Sequence, residues 1–197
     1  MNFDNSNYKF VHIPKTSGKY FIQKFNMEYA NDFMHPCYNK KYSNTVNNWL
    51  TYFEPKDRMI TMIRNPFDWL YSYYSHNRFH GWDGCNWRHD FKSFEEFINS
   101  YCDDNFGWHQ PCIHRSFISP VCDDDGHIVC EYLLYYETFY GDIRLTEYRD
   151  KYNSNMVDIV NNKFKEENSL FLYDFESRIK TERKFFKVEK NKKYFEI

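Results

Sequence analysis

Alanine is almost missing: Ala30 is the only one in 197 residues. Aromatic residues make up 22% of the chain, with 20 Phe, 18 Tyr and 5 Trp, so the core is expected to be built of rings with Leu, Ile, Val and Met between them. No run approaches 18 apolar residues, and the opening MNFDNSNYKF lacks a basic segment leading into an apolar one. There is no N-x-S/T sequon and no CxxC among the six cysteines. Together these absences read as a soluble, unsecreted, cytoplasmic chain that needs no disulfide scaffold. Cys112, His114, Cys122, His127 and Cys130 are crowded enough to raise zinc, but their spacing matches no familiar closed site, and no metal is expected. A strong charge of either sign is missing too. The formal net charge is -2 and the pI near 6.4, which argues against bulk nucleic acid or an anionic membrane as the main partner. Any anion has to be bound locally.

What is present is a succession of short elements, with no repeat or low-complexity linker, in a length that suits one domain over residues 1–197. Lys9 to Ile13 reads as a buried strand and Ser17 to Tyr29 as a helix with Phe21, Phe25 and Tyr29 on one face. The segment 39–48 is polar and reads as loop. Arg58 to Ile63 is a second apolar strand, and Asn65-Pro66 opens the next helix, packed through Phe67, Leu70, Tyr71 and Tyr74. Residues 75–90, rich in Gly, His, Trp and charge, read as an active-site or lid loop. Ser93 with Glu96 forms a capping box for a helix through Tyr101. A third strand is expected at Glu131 to Tyr136, with helices at Thr138 to Tyr148 and Asn155 to Phe164. Strands separated by helices predict an α/β fold of three layers with a mostly parallel central sheet and a P-loop-like strand-loop-helix. Ligands of such folds gather at the carboxyl ends of strands, where PKTSGK and RNP fall. The last 21 residues hold eight Lys or Arg against three Glu; this is either a positive rim over a ligand or a solvated helix or strand face.

Two stretches carry anion chemistry. FVHIPKTSGKYF resembles a phosphate loop, yet GxxxxGK[ST] requires a glycine where Ile13 stands and a hydroxyl where Tyr20 stands. A metal-bound triphosphate is therefore a poor match. A helix N-terminus with free N–H groups near Thr16, Ser17 and Gly18, flanked by Lys15 and Lys19, suits a terminal phosphate without a metal. The alternative is a surface turn with two solvated lysines. In RNPFDWLYS, Arg64 ends the second strand and Ser72 follows two helical turns after Asn65, so one phosphate shared by both needs a ligand lying along the helix. Arg64 also reads as a salt-bridged strand end, and Ser72 as a packed helical hydroxyl.

PKTSGK after one strand, RNPFDWLYSYY after the next, and QPCIHRSFI followed by EYLLYYETF resemble the 3'-phosphoadenosine 5'-phosphosulfate (PAPS) dependent sulfotransferases, above all the heparan-sulfate-like branch that sulfates carbohydrates. The likeness covers roughly residues 9–145. It implies that Lys15, Thr16, Ser17, Gly18, Lys19 and Tyr20 line the 5'-phosphosulfate and that Arg64 and Ser72 hold the 3'-phosphate. It also implies a catalytic pair, Lys15 opposite the leaving phosphate and His35 as the base for the acceptor hydroxyl. His35 is also open to a structural or surface role, with the base then lying elsewhere. Lys19 and Tyr20 replace the small hydroxyl residues usual after the glycine, and Trp69 stands at a position that is commonly basic. Trp69 then serves packing or an adenine contact.

The expectation is sulfuryl transfer from PAPS to a hydroxyl, on a carbohydrate by resemblance, leaving adenosine 3',5'-bisphosphate. Two rivals remain: a nucleotide-binding protein of the same fold with little or no turnover, and a small-molecule kinase. Among other candidates, His12 reads as a core or rim residue, and His76 and His80 as one helical turn apart. Asp68, Asp83 and Asp90 read as ordinary caps or turns, and the resemblance implies that Gln110 falls near the acceptor and nucleotide. Glu137 is either a buried structural carboxylate or a substrate contact.

Overall fold

The computed structural model describes residues 8–13, 15–26, 28–29, 58–80, 91–103, 121–122, 125–140, 147–176, 178–179, 184–190 and 192–194. The order is β1 (Tyr8–Val11), α1 (Gly18–Phe25), β2 (Glu28–Tyr29), β3 (Arg58–Ile63), α2 (Pro66–His80), α3 (Phe94–Cys102), β4 (Tyr132–Tyr135) and α4 (Tyr136–Tyr140). A single 3-10 turn at Arg149–Lys151 leads to α5 (Ser154–Lys163), α6 (Lys165–Phe171), β5 (Tyr173–Asp174), β6 (Arg178–Ile179) and β7 (Phe185–Lys187).

β1, β2, β3, β4 and β7 form one sheet in the order β2-β1-β3-β4-β7; the first four are parallel and β7 closes the edge antiparallel to β4. The expected mixed α/β architecture with a mostly parallel sheet is present. Period-two alternation sends Phe10, Ile60, Met62 and Leu134 to one face, where α1 packs Phe21 and Ile22 on them. Val11, Met59, Ile63 and Leu133 face the other way, toward α2, α3, α5 and α6. Trp69 is fully enclosed there and stacks on Tyr73, with centroids 5.3 Å apart, and meets Tyr101 edge-on. Burying such a ring is worth roughly 1.5–3 kcal/mol. Trp69 therefore packs the core.

Three predicted boundaries move. The first helix stops at Phe25, because Asn26 takes a left-handed cap (φ 47) and donates its N–H to the Ile22 carbonyl; Tyr29 lies in a strand instead. The second helix runs through the start of the expected lid to His80, since SHNRFH contains no breaker; the remainder of that lid, 81–90, lies outside the described residues. Of the expected helix at Thr138 to Tyr148, α4 covers the start, beginning two residues early at Tyr136, residues 141–146 lie outside the described residues, and Tyr148 caps the later 3-10 turn. The capping box of α3 forms as read on its serine side: Ser93 Oγ accepts from the Glu96 N–H at 3.1 Å, while the Glu96 carboxylate accepts from Lys92 N–H at 2.7 Å. In the basic tail, Lys184, Lys187, Lys190, Lys192 and Lys193 are exposed, and Lys192 pairs with Glu189. Among the described residues no helix is long and apolar enough to cross a membrane.

Candidate anion site at the carboxyl edge of the sheet

From β1 the chain passes through α1 to β2 on one side, and from β3 it passes through α2 to β4 on the other. The loops leaving β1 and β3 thus diverge to opposite faces, and the crevice between them is the topological switch point where open α/β sheets bind ligands. Both anion stretches end there.

The first loop is tight and internally bonded. Lys15 (φ 64) and Ser17 (φ 59) are left-handed without being glycine, a conformation each holds at some cost. Thr16 is fully buried, and its Oγ1 donates to the Ile13 carbonyl at 2.7 Å. Gly18 opens α1 against His12, so close that a Cβ on it would lie 2.3 Å from His12 Cδ2 and 2.9 Å from Phe10 Cε1. Here glycine is required by approach rather than by dihedral angle. The first-turn amides of α1 have no partners within the helix and carry its positive end.

Arg64 follows β3 and is only 3% exposed. Its Nε donates to Asp68 Oδ2 at 2.8 Å, its Nη1 donates to the Lys15 carbonyl at 2.8 Å, and its guanidinium lies 4.4 Å from the centre of the Tyr136 ring. Asp68 is not the ordinary cap or turn residue expected from the sequence. It is completely buried, and its Oδ1 has no hydrogen-bond partner among the described residues. Lys15 is half-buried; burial first, and the neighbouring Arg64 charge second, lower its ammonium to about 8.

The first turn of α4, directly after β4, supplies Glu137, also buried. Its Oε1 accepts from the Asn65 backbone N–H at 2.6 Å, and Tyr173 OH donates to Oε2 at 3.4 Å. Asn65 uses its side chain twice, accepting from Phe67 N–H at 2.9 Å and donating to the Asp174 carbonyl at 2.8 Å. Burial pushes the Glu137 carboxyl up to about 7, against the lowering effect of the Asn65 N–H. Glu137 therefore pins the start of α2, as a structural carboxylate does.

Lys15, Thr16, Ser17, Gly18 and Arg64 come together at one edge. Ser72 is half-buried on α2, ~9 Å along the helix axis from Pro66, and does not share the Arg64–Lys15 junction. Tyr20 is 37% exposed on α1, where the Lys24 ammonium lies 5.8 Å from its ring centre. Lys19 falls in the first turn of α1, and nothing is described of its side chain. His35, Asp83, Asp90 and Gln110 lie outside the described residues, as do Cys112 and His114 of the candidate zinc cluster, whereas Cys122 and Cys130 are buried. The residues missed in the sequence are Asn65, Tyr136 and Tyr173, and with them the role of Asp68, for which the i,i+4 spacing from Arg64 is the signal that could have found it.

No family model, curated protein or solved structure matches this chain.

Proposed function

We propose that the chain is a PAPS-dependent sulfotransferase whose donor binds at the β1–β3 crevice through a P-loop-like strand-loop-helix. The observation that carries this reading is the meeting of Lys15 and Arg64 across the switch point, two cations beside the positive end of α1. A terminal phosphosulfate over residues 15–20 would accept from the first-turn amides and pair with Lys15. The 3'-phosphate falls to Arg64, and Ser72 joins it only if the ligand lies along α2. Arg64 is so enclosed that a phosphate must displace part of its cover to reach it.

The reaction is an in-line displacement at sulfur. A bond forms from the acceptor oxygen to sulfur as the bond from sulfur to the bridging phosphate oxygen breaks. The acceptor proton passes to His35, and the negative charge that grows on the leaving phosphate is met by Lys15. With its pKa near 8, Lys15 is mostly protonated at neutral pH and available as that cation. The product is adenosine 3',5'-bisphosphate, the chemistry calls for no metal, and the acceptor is a carbohydrate hydroxyl.

A second reading, a binder of the same nucleotide without turnover, is favoured by Thr16, whose hydroxyl is already spent on the Ile13 carbonyl. Calorimetry with adenosine 3',5'-bisphosphate, on wild type and Lys15→Ala, tests both readings; no binding by wild type would remove both. Transfer of labelled sulfate from PAPS to a glycan panel, with wild type and His35→Ala, then separates them. Binding without transfer leaves only the binder.

A further inference from the structure

Arg64 joins three parts of the crevice through one guanidinium. On one side Asp68 of α2 receives Nε; on the other the carbonyl of Lys15, in the loop after β1, receives Nη1. The Tyr136 ring of α4 closes the face of the fork at 4.4 Å. Both ends of the ion pair are shut off from water, and the residue whose carbonyl is captured is one of the left-handed positions of the loop. An isolated loop would relax out of that conformation. We propose that Asp68 is a positioning residue for Lys15: it fixes the Arg64 fork, and the fork holds the Lys15 carbonyl so that the loop keeps its left-handed turn and presents the lysine beside the start of α1.

The physical reason lies in the shape of the arginine. A planar guanidinium offers two donors in a fixed relation, so orienting Nε on Asp68 also orients Nη1. Buried without its carboxylate, Arg64 would seek another acceptor, and its uncompensated charge would fall on Lys15, a cation whose ammonium it already lowers. Among the described residues the charge that bears on Lys15 is Arg64 at the end of β3, which is itself paired with Asp68 on α2, and both of these bear on Glu137 of α4. The sulfotransferase reading gives the device its use, but the contacts stand without it.

The experiment follows Lys15 directly, so no ligand is needed. In the full-length protein, carrying lysine labelled at the ε-carbon, the Lys15 resonance is assigned by its loss in Lys15→Arg and titrated in wild type and Asp68→Asn. Removing the neutralising carboxylate is expected to move the Lys15 midpoint below its wild-type value and to accelerate amide hydrogen exchange over residues 15–20 by about tenfold or more. An unchanged midpoint with unchanged exchange would overturn the proposal, because a carboxylate serving only overall stability would lower the melting temperature and leave both local readings in place. Should Asp68→Asn not fold, Arg64→Lys asks the same question: it keeps the charge opposite Asp68 but cannot span to the Lys15 carbonyl. Exchange over 15–20 should then rise while the middle of α2 stays protected, and equal protection in the loop would refute the linkage. Adenosine 3',5'-bisphosphate is titrated in parallel. If wild type does not bind it while the Lys15 effects are present, the functional reading fails and the positioning role survives.

Discussion

His12 and Gly18 occupy the same small space: the His12 ring fills the volume a side chain at 18 would need, with its Cδ2 only 2.3 Å from where a Cβ would sit. The alanine variant gains some helix propensity, about 1 kcal/mol at most, but must push His12 or the buried Phe10 aside. Gly18→Ala is therefore expected to lose about 1–2 kcal/mol net of stability in urea denaturation. A variant at least as stable as wild type would show that His12 swings clear without cost.

Glu137 makes stability depend on pH. Its carboxyl is raised from 4.5 to about 7 by burial, so between those values the unfolded chain has released a proton that the folded one keeps. Stability contributed by this group is complete below the unfolded value and is lost as pH rises through about 7, a change of ~3 kcal/mol in all. Glu137→Gln keeps an oxygen for the Asn65 N–H and does not titrate. Urea midpoints measured from pH 4.5 to 8 should show wild type losing ground to this variant as pH rises. Parallel curves would mean that Glu137 titrates normally.

The Arg64–Asp68 pair should behave as a buried ion pair and not as a surface one. Arg64→Ala strands the completely buried Asp68, and Asp68→Ala strands Arg64. Each is expected to cost about 3–5 kcal/mol, most of it the penalty for the charge left behind. Arg64→Ala with Asp68→Ala removes both charges and should cost well below the sum, with a coupling of ~1–3 kcal/mol in a double-mutant cycle. Strict additivity would place the pair in effective contact with solvent.

Much of this fold is legible in the chain because its parallel strands are short apolar runs with clear ends: Arg58–Ile63 lies where MITMI predicts it. Where the reading slips, the pattern continues past the physical stop. Phe21, Phe25 and Tyr29 keep helical spacing, yet Asn26 ends the helix by a backbone conformation that spacing does not encode. The crevice is legible as a pair of motifs following strands, but its wiring is not. That Arg64 reaches Lys15 across 49 positions, and Asn65 reaches Glu137 across 72, is decided by strand order. The antiparallel docking of β7 on β4, which brings the basic tail back to the sheet, is equally nonlocal.

Lys15 gives the functional reading a pH signature. Burial and Arg64 lower its ammonium to about 8, so it is charged at neutral pH and loses its proton just above it. An anion bound beside it favours the charged form, and the affinity for adenosine 3',5'-bisphosphate should be flat below about pH 7 and fall as pH rises through 8. The fall is bounded by one charge-assisted contact, about 1.5–3 kcal/mol or some ten- to hundredfold in dissociation constant. Lys15→Arg stays charged throughout and should bind with no such alkaline limb, even if its different shape lowers affinity overall. Calorimetric titrations of both proteins from pH 6.5 to 9.5 make the comparison. Were wild type and Lys15→Arg to decline together, another group would be titrating and Lys15 would not be the anion's partner.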